Sequence, residues 1–253
     1  MGIGVPYRLR PNARQQRKTT MHSDDLNAPP FNPIAPVVWV FVLAIVGVEL
    51  ALQAAESGFL GGANGIGWRI EAFSRFAFFD TALSWMMETG RFPVEHLQRF
   101  ITYPFIHGNF THALFAVVML LAIGKMVAEL FSAFAFVAIF MASTIVGALT
   151  YALFLETNIP LLGAFPAVYG MIGAFTFVLW VRARHEGEGQ ARAFSLIAFL
   201  MGLQLFFKLV FGGGDDWIAD IAGFVTGFGL SFVLAPGGAR RIAEMVNQIR
   251  RRR

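Results

Sequence analysis

The sequence predicts an all-α, polytopic membrane protein with six transmembrane helices. Of its 253 residues, 56% are hydrophobic and only 14% are charged, which is about half the charged fraction of an average soluble domain. Six apolar runs each approach the roughly 20 residues that a helix needs to cross a bilayer. Most Lys and Arg residues lie in the tails and in alternate loops, as the positive-inside rule requires of such a protein.

The apolar runs follow a polar, basic segment. Residues 1–33 are rich in Arg, Pro and Asn, and we interpret them as a disordered cytoplasmic tail. Met21 is an alternative start to Met1, because residues 1–20 have the composition of a translated leader. The membrane domain is expected over residues 34–235, followed by a second basic cytoplasmic tail at 236–253. Its predicted transmembrane helices are residues 34–55, 107–128, 131–155, 161–181, 193–211 and 217–235.

The connection between the first two runs, residues 56–102, is predicted to be an interfacial loop. Residues 68–89 interleave aromatic and charged side chains, a pattern typical of an amphipathic helix that lies at the membrane surface. A second short helix is predicted over residues 94–100. A small helical hairpin outside the membrane is the alternative, but the density of Phe and Trp favours the interface.

Basic residues predict the orientation. Fifteen of the 20 Lys and Arg residues fall in four segments: the two tails and the loops after the second and fourth helices. Only an even number of helices places all four segments on one side, so both termini are expected in the cytoplasm of a bacterial cell, with the protein in the inner membrane. Because the net charge of +4 lies beside the apolar runs, the predicted partner is the lipid bilayer and not a nucleic acid.

Three segments carry residues that could form a site. Small residues four apart let membrane helices approach closely, so the glycines are interpreted as packing positions. A carboxylate inside a membrane helix is costly unless it is paired or hydrated, so Asp220 is either a structural hydrogen-bonding group or a functional one. The residues concerned are His107 and His112 on the second helix, Gly163, Phe165, Tyr169, Gly170 and Gly173 on the fourth, and Asp220, Gly223 and Gly227 on the sixth.

In this order, the three segments resemble the rhomboid family of intramembrane serine proteases, over residues 99–234. The resemblance implies six core helices and a partly submerged first loop. It also implies that Phe165 stands at the position of the nucleophile, Asp220 at that of the general base and Ala116 at that of the Asn that assists the oxyanion. The residues that match the family pattern are His112, Tyr169, Gly163, Gly173, Gly223 and Gly227. The departures therefore fall on the residues that carry out the reaction.

These departures predict that no catalytic residue is intact. Peptide hydrolysis by this route needs a hydroxyl, a base within reach and donors for the oxyanion, and a phenyl ring supplies no nucleophilic atom. We therefore expect a rhomboid-like pseudoprotease that binds transmembrane client proteins without cleaving them. The alternative is an intramembrane serine endopeptidase with a non-standard site. Its candidate serines, Ser143, Ser195 and Ser231, are more typical of packing or backbone-bonded positions.

No cofactor or metal is expected. His107, His112 and Asp220 would resemble a zinc site if they converged, but no paired helical motif supports one. We predict instead that His112 and Asp220 form a hydrogen-bonded pair, directly or through one water, with Tyr169 packed beside Asp220. Phe165 would then plug the cavity above the pair. The sequence does not indicate the oligomeric state.

Overall fold

The structure is a computed structural model that describes residues 33–157, 159–187, 189–211 and 215–238. These residues contain helices and one isolated antiparallel bridge, between Phe78 and Leu161. Most of both predicted tails lies outside the described residues. The helices are α1 (Pro36–Glu56), α2 (Trp68–Phe76), α3 (Asp80–Thr89), α4 (Val94–Leu97), α5 (Arg99–Thr102), α6 (Phe110–Leu130), α7 (Ala133–Phe154), α8 (Phe165–Glu186), α9 (Ser195–Phe211) and α10 (Trp217–Leu234).

Five of these helices, α1, α6, α7, α8 and α10, are long and apolar enough to cross a membrane. The predicted class, an all-α protein with several membrane spans, is therefore confirmed. The fifth predicted run corresponds to α9, which has 17 residues in the structure. Because a crossing needs roughly 20 residues, a sixth span at α9 stays a prediction.

Helix α8 lies at the centre of the bundle. Of its most apolar stretch, 61% is buried, against 28–44% in the other four candidate spans. All nine residues from 166 to 174 are buried, so every face of this half of the helix is covered. The mean hydropathy of this stretch is 1.4, the lowest of the five. The other four range from 1.7 to 2.3. Helices α6, α7 and α10 pack around it.

Glycines bring α8 and α10 into backbone contact. A Cβ atom added to Gly223 would overlap the carbonyl group of Pro166, and one added to Gly227 would overlap that of Gly170. A Cβ at Gly173 would collide with the Phe224 carbonyl in the same way. The two helices therefore approach each other as closely as their backbones allow, as small residues at such spacing permit.

The first loop differs from the prediction of one amphipathic helix over residues 68–89. It forms two helices, α2 and α3, because the chain is extended at Phe78, which is fully buried and pairs with Leu161. The Leu161 amide donates to the Phe78 carbonyl at 2.8 Å, and the Phe78 amide donates in return at 3.3 Å. The same pairing keeps residues 161–164 out of the fourth predicted helix, so α8 begins at Phe165.

Candidate functional site

A cavity of about 200 Å³ lies where α6, α8, α9 and α10 meet. Three of the site residues predicted from the sequence line this cavity, namely His112, Phe165 and Asp220. Ala116 is buried on α6 outside this lining, and Tyr169 reaches the cavity only through Gln204. The lining residues are His112, Leu161, Leu162, Phe165, Pro166, Gln204, Asp216 and Asp220.

Asp220 is 1% exposed and is held by Gln204 from α9. The Gln204 side-chain amide donates to Asp220 Oδ2 at 2.7 Å, and its Oε1 accepts from the Tyr169 hydroxyl at 3.4 Å. Within the described part of the chain, Asp220 Oδ1 has no hydrogen-bond partner. The polar chain Tyr169–Gln204–Asp220 therefore ties α8, α9 and α10 together.

The predicted direct hydrogen bond between His112 and Asp220 is wrong. The carboxylate takes its donor from Gln204, and His112 Nδ1 instead accepts the backbone N–H of Gly108 at 3.2 Å. A histidine that accepts at Nδ1 carries no proton there, so the ring is neutral in this arrangement. A link between His112 and Asp220 through one water stays a prediction.

Phe165 is the first residue of α8 and lies against His112. Its ring stacks on the His112 imidazole, with centroids 5.1 Å apart and planes 9° apart. Asn109 fixes the start of α6 by accepting the His112 backbone N–H at 2.9 Å, a common N-cap arrangement. One face of the His112 ring is therefore covered by the Phe165 ring.

His107 supports the segment that leads into α8. It is fully buried, and its Nε2 accepts the Ala164 backbone N–H at 3.4 Å. Burial, together with the nearby His112, lowers the pKa of His107 to about 3, so the ring is neutral at physiological pH. Among the described residues, no three His, Asp or Glu side chains converge to hold a metal ion.

Gly163 lies against both histidines and has a φ of +87°, which favours glycine. A Cβ there would lie 2.9 Å from His112 Cε1 and 3.1 Å from His107 Cδ2. Its amide donates to the Tyr103 carbonyl at 3.1 Å. A larger residue at position 163 would displace the two histidines or the extended segment, residues 161–164, that leads into α8.

The remaining serines do not line the cavity. Ser143 donates to the Gly223 carbonyl at 3.2 Å, and Ser231 donates to the Gly227 carbonyl at 2.7 Å. Both are buried, whereas Ser195 is the exposed first residue of α9. Their hydroxyls thus serve backbone carbonyls or face outward, as packing or capping residues do.

Sequence reasoning missed Gln204 and a buried ionic cluster on α1. Each left a signal, because Gln204 and Glu49 are polar residues inside apolar runs, where such residues need partners. In the cluster, Arg69 binds Glu49 in a bidentate pair at 2.9 and 3.1 Å and Glu56 at 2.6 Å. Arg69 also donates to the His107 carbonyl at 3.0 Å, so it joins α1 and α2 to the segment that carries the histidines.

Comparison of the sequence with known proteins shows the family of this chain. The rhomboid domain matches residues 94–237, more than half of the chain. RHOMBOID-like protein 4 from Arabidopsis thaliana is 30% identical over 139 residues, which cover 54% of this chain and 34% of the relative. Rhomboid-like protease 1 from Toxoplasma gondii is 26% identical over 132 residues, covering 51% and 44%. The match thus spans less than half of either relative, and the chain belongs to the rhomboid domain family.

Proposed function

We propose that this rhomboid-family protein binds transmembrane segments of client proteins without cleaving them. The observation that carries the proposal is the Phe165 ring, which stands at the nucleophile position and lies flat against His112. No hydroxyl reaches this position from the described residues that line the cavity. A scaffold that has kept its close helix packing but lost the reacting atom is suited to recognition and not to hydrolysis.

The electrostatics of the cavity support the same proposal. Acyl transfer needs donors that stabilise the developing oxyanion. Here the general-base position is Asp220, and its carboxylate already accepts a hydrogen bond from Gln204. Ala116, at the position of the assisting Asn, offers no donor. The imidazole base and the amide donor that hydrolysis by this route uses are therefore both absent from these positions.

The second candidate is an intramembrane serine endopeptidase with a non-standard site. The name of the Toxoplasma gondii relative describes that protein as a protease. In this chain the candidate hydroxyls of Ser143 and Ser231 are buried against backbone carbonyls. The binding function therefore agrees better with the geometry.

The purified full-length protein is expected not to cleave a transmembrane peptide that an active rhomboid cuts under the same conditions. Loss of the nucleophile together with its base costs on the order of 10⁶ in rate in a serine protease. Fragments are quantified by mass spectrometry, with an active rhomboid as the positive control and a fluorophosphonate probe as a second readout. Cleavage that disappears on mutation of Ser143, Ser195 or Ser231 would establish the endopeptidase instead.

Client binding is tested by crosslinking the protein in its native membrane and identifying the captured partners. The proposal expects intact membrane-spanning proteins. Capture of fragments that end within their membrane segments would contradict it, because such ends require cleavage.

We further propose six spans with both termini in the cytoplasm of a bacterial inner membrane. A reporter fused after Glu156, in the loop that follows α7, is expected to signal the outer side, because an odd number of spans precedes it. A second fusion after Gly213 is expected to do the same, although that residue lies outside the described part of the chain. A cytoplasmic signal at either position would exclude the six-span arrangement.

A further inference from the structure

The cavity above Asp220 has the chemistry of a binding site for a small cation. We propose that it binds an organic ammonium ion with N–H groups and a short apolar chain. The inference goes beyond client binding and holds even if the chain binds no client. It rests on the unsatisfied carboxylate oxygen, on the charge of the lining residues and on the aromatic ring beside them.

The first observation is the Asp220 carboxylate. The residue is 1% exposed, and of its two oxygens only Oδ2 has a hydrogen-bond partner among the described residues. A buried acceptor without a donor costs free energy that a hydrogen-bonding ligand recovers. A cationic donor recovers more than a neutral one, because it also offsets the charge that makes a carboxylate costly in a membrane.

The second observation is the charge of the residues that line the cavity. Among the eight described residues that line the cavity, Asp220 is an acidic residue with an unpartnered oxygen, and none is Lys or Arg. His112 lacks a proton at Nδ1, because that atom accepts the Gly108 amide, and it is therefore neutral. The lining thus favours a cation and disfavours an anion.

The third observation is the apolar part of the cavity. Phe165, Pro166 and two leucines, Leu161 and Leu162, supply most of the remaining lining. An aromatic ring attracts ammonium groups through its negative face, and the leucines and proline offer contact for a short alkyl chain. About 200 Å³ is small for a drug-sized ligand and suits a compact amine.

Isothermal titration of the full-length protein in detergent tests the proposal with n-butylammonium. We expect saturable binding with one site, no binding of n-butyrate, and weaker binding of tetramethylammonium, which has the charge but no N–H. Asp220→Asn should lose at least tenfold in affinity. Asp80→Asn is the matched control, because Asp80 is also a buried helix-start carboxylate with one unpartnered oxygen but lies outside the cavity, and its affinity should equal that of the parent protein.

A second variant covers the case in which Asp220→Asn does not fold. Phe165→Leu keeps an apolar side chain but removes the ring, and it should weaken n-butylammonium binding by roughly three- to tenfold. Equal binding of butyrate and butylammonium, or unchanged affinity in Asp220→Asn, would overturn the proposal. So would the absence of butylammonium binding combined with binding of a lysine-bearing transmembrane peptide, which would assign the cavity to a client side chain.

Discussion

Replacing Arg69 with alanine is expected to lower the free energy of unfolding by about 3–5 kcal/mol, the cost of breaking a buried ion pair by removing one partner. The Arg69 and Glu49 side chains are 8% and 5% exposed, so Arg69→Ala leaves a carboxylate in a low-dielectric setting without its counter-ion. Hydrogen bonding to Glu49, and then to Glu56, raises the pKa of Arg69, so the guanidinium stays charged. Unfolding in detergent, followed by circular dichroism against increasing denaturant, measures the change.

The matched control is Arg182→Ala. Arg182 forms an exposed pair with Glu186 one helical turn away, at 2.7 Å and with side chains 72% and 46% exposed. Such pairs contribute only about 0.3–0.5 kcal/mol, so the control should remain close to the parent protein. An Arg69→Ala variant as stable as the control would mean that Glu49 and Glu56 are neutral or hydrated in the folded protein.

Replacing Gly227 with alanine is expected to destabilise the protein by about 3 kcal/mol, at the upper end of the usual cost of overpacking. The added Cβ would lie 2.7 Å from the Cα atom of Gly170. It would lie even closer to the carbonyl group of Gly170. Both obstacles are backbone atoms of α8, so no side-chain rotation relieves the overlap. The helices must separate, which also disturbs Asp220 at the start of α10. The midpoint of thermal unfolding measures the loss.

Gly229→Ala, two residues further along α10, provides the control. A Cβ at this position would meet nothing within 4 Å, and alanine favours helix over glycine by about 1 kcal/mol. This variant should therefore be as stable as the parent protein or slightly more stable. If both variants behaved alike, the close approach of α8 and α10 would not contribute to stability.

The helices that the sequence predicted well are those specified by local pattern. Apolar runs of suitable length predict α1, α6, α7 and α10 to within a few residues, because burial in lipid depends mainly on composition. The errors arise where distant segments meet. The break between α2 and α3 and the late start of α8 both follow from the pairing of Phe78 with Leu161, residues that are far apart in the chain.

The sequence predicted which residues lie together at the candidate site, but it did not predict the hydrogen bonds that they form. The resemblance to the rhomboid family brought His112, Phe165 and Asp220 into one group, and the structure places all three around one cavity. The partner of Asp220 was not predictable in the same way, because Gln204 lies on α9, outside every matched motif. A polar residue in an apolar run shows that a partner is needed, but only the structure, in which Gln204 on α9 donates to Asp220 on α10, shows which partner it finds.

The central position of α8 has a consequence for biosynthesis. Insertion of a segment into the bilayer depends on its own hydrophobicity, and α8 is the least apolar of the five candidate spans. Its glycine face is closed by α10, which the ribosome makes later. Until the nascent chain extends to Trp217, α8 therefore lies in the membrane with its Gly170 and Gly173 face open to lipid. During this interval, chaperones or proteases of the membrane would have access to that face of α8.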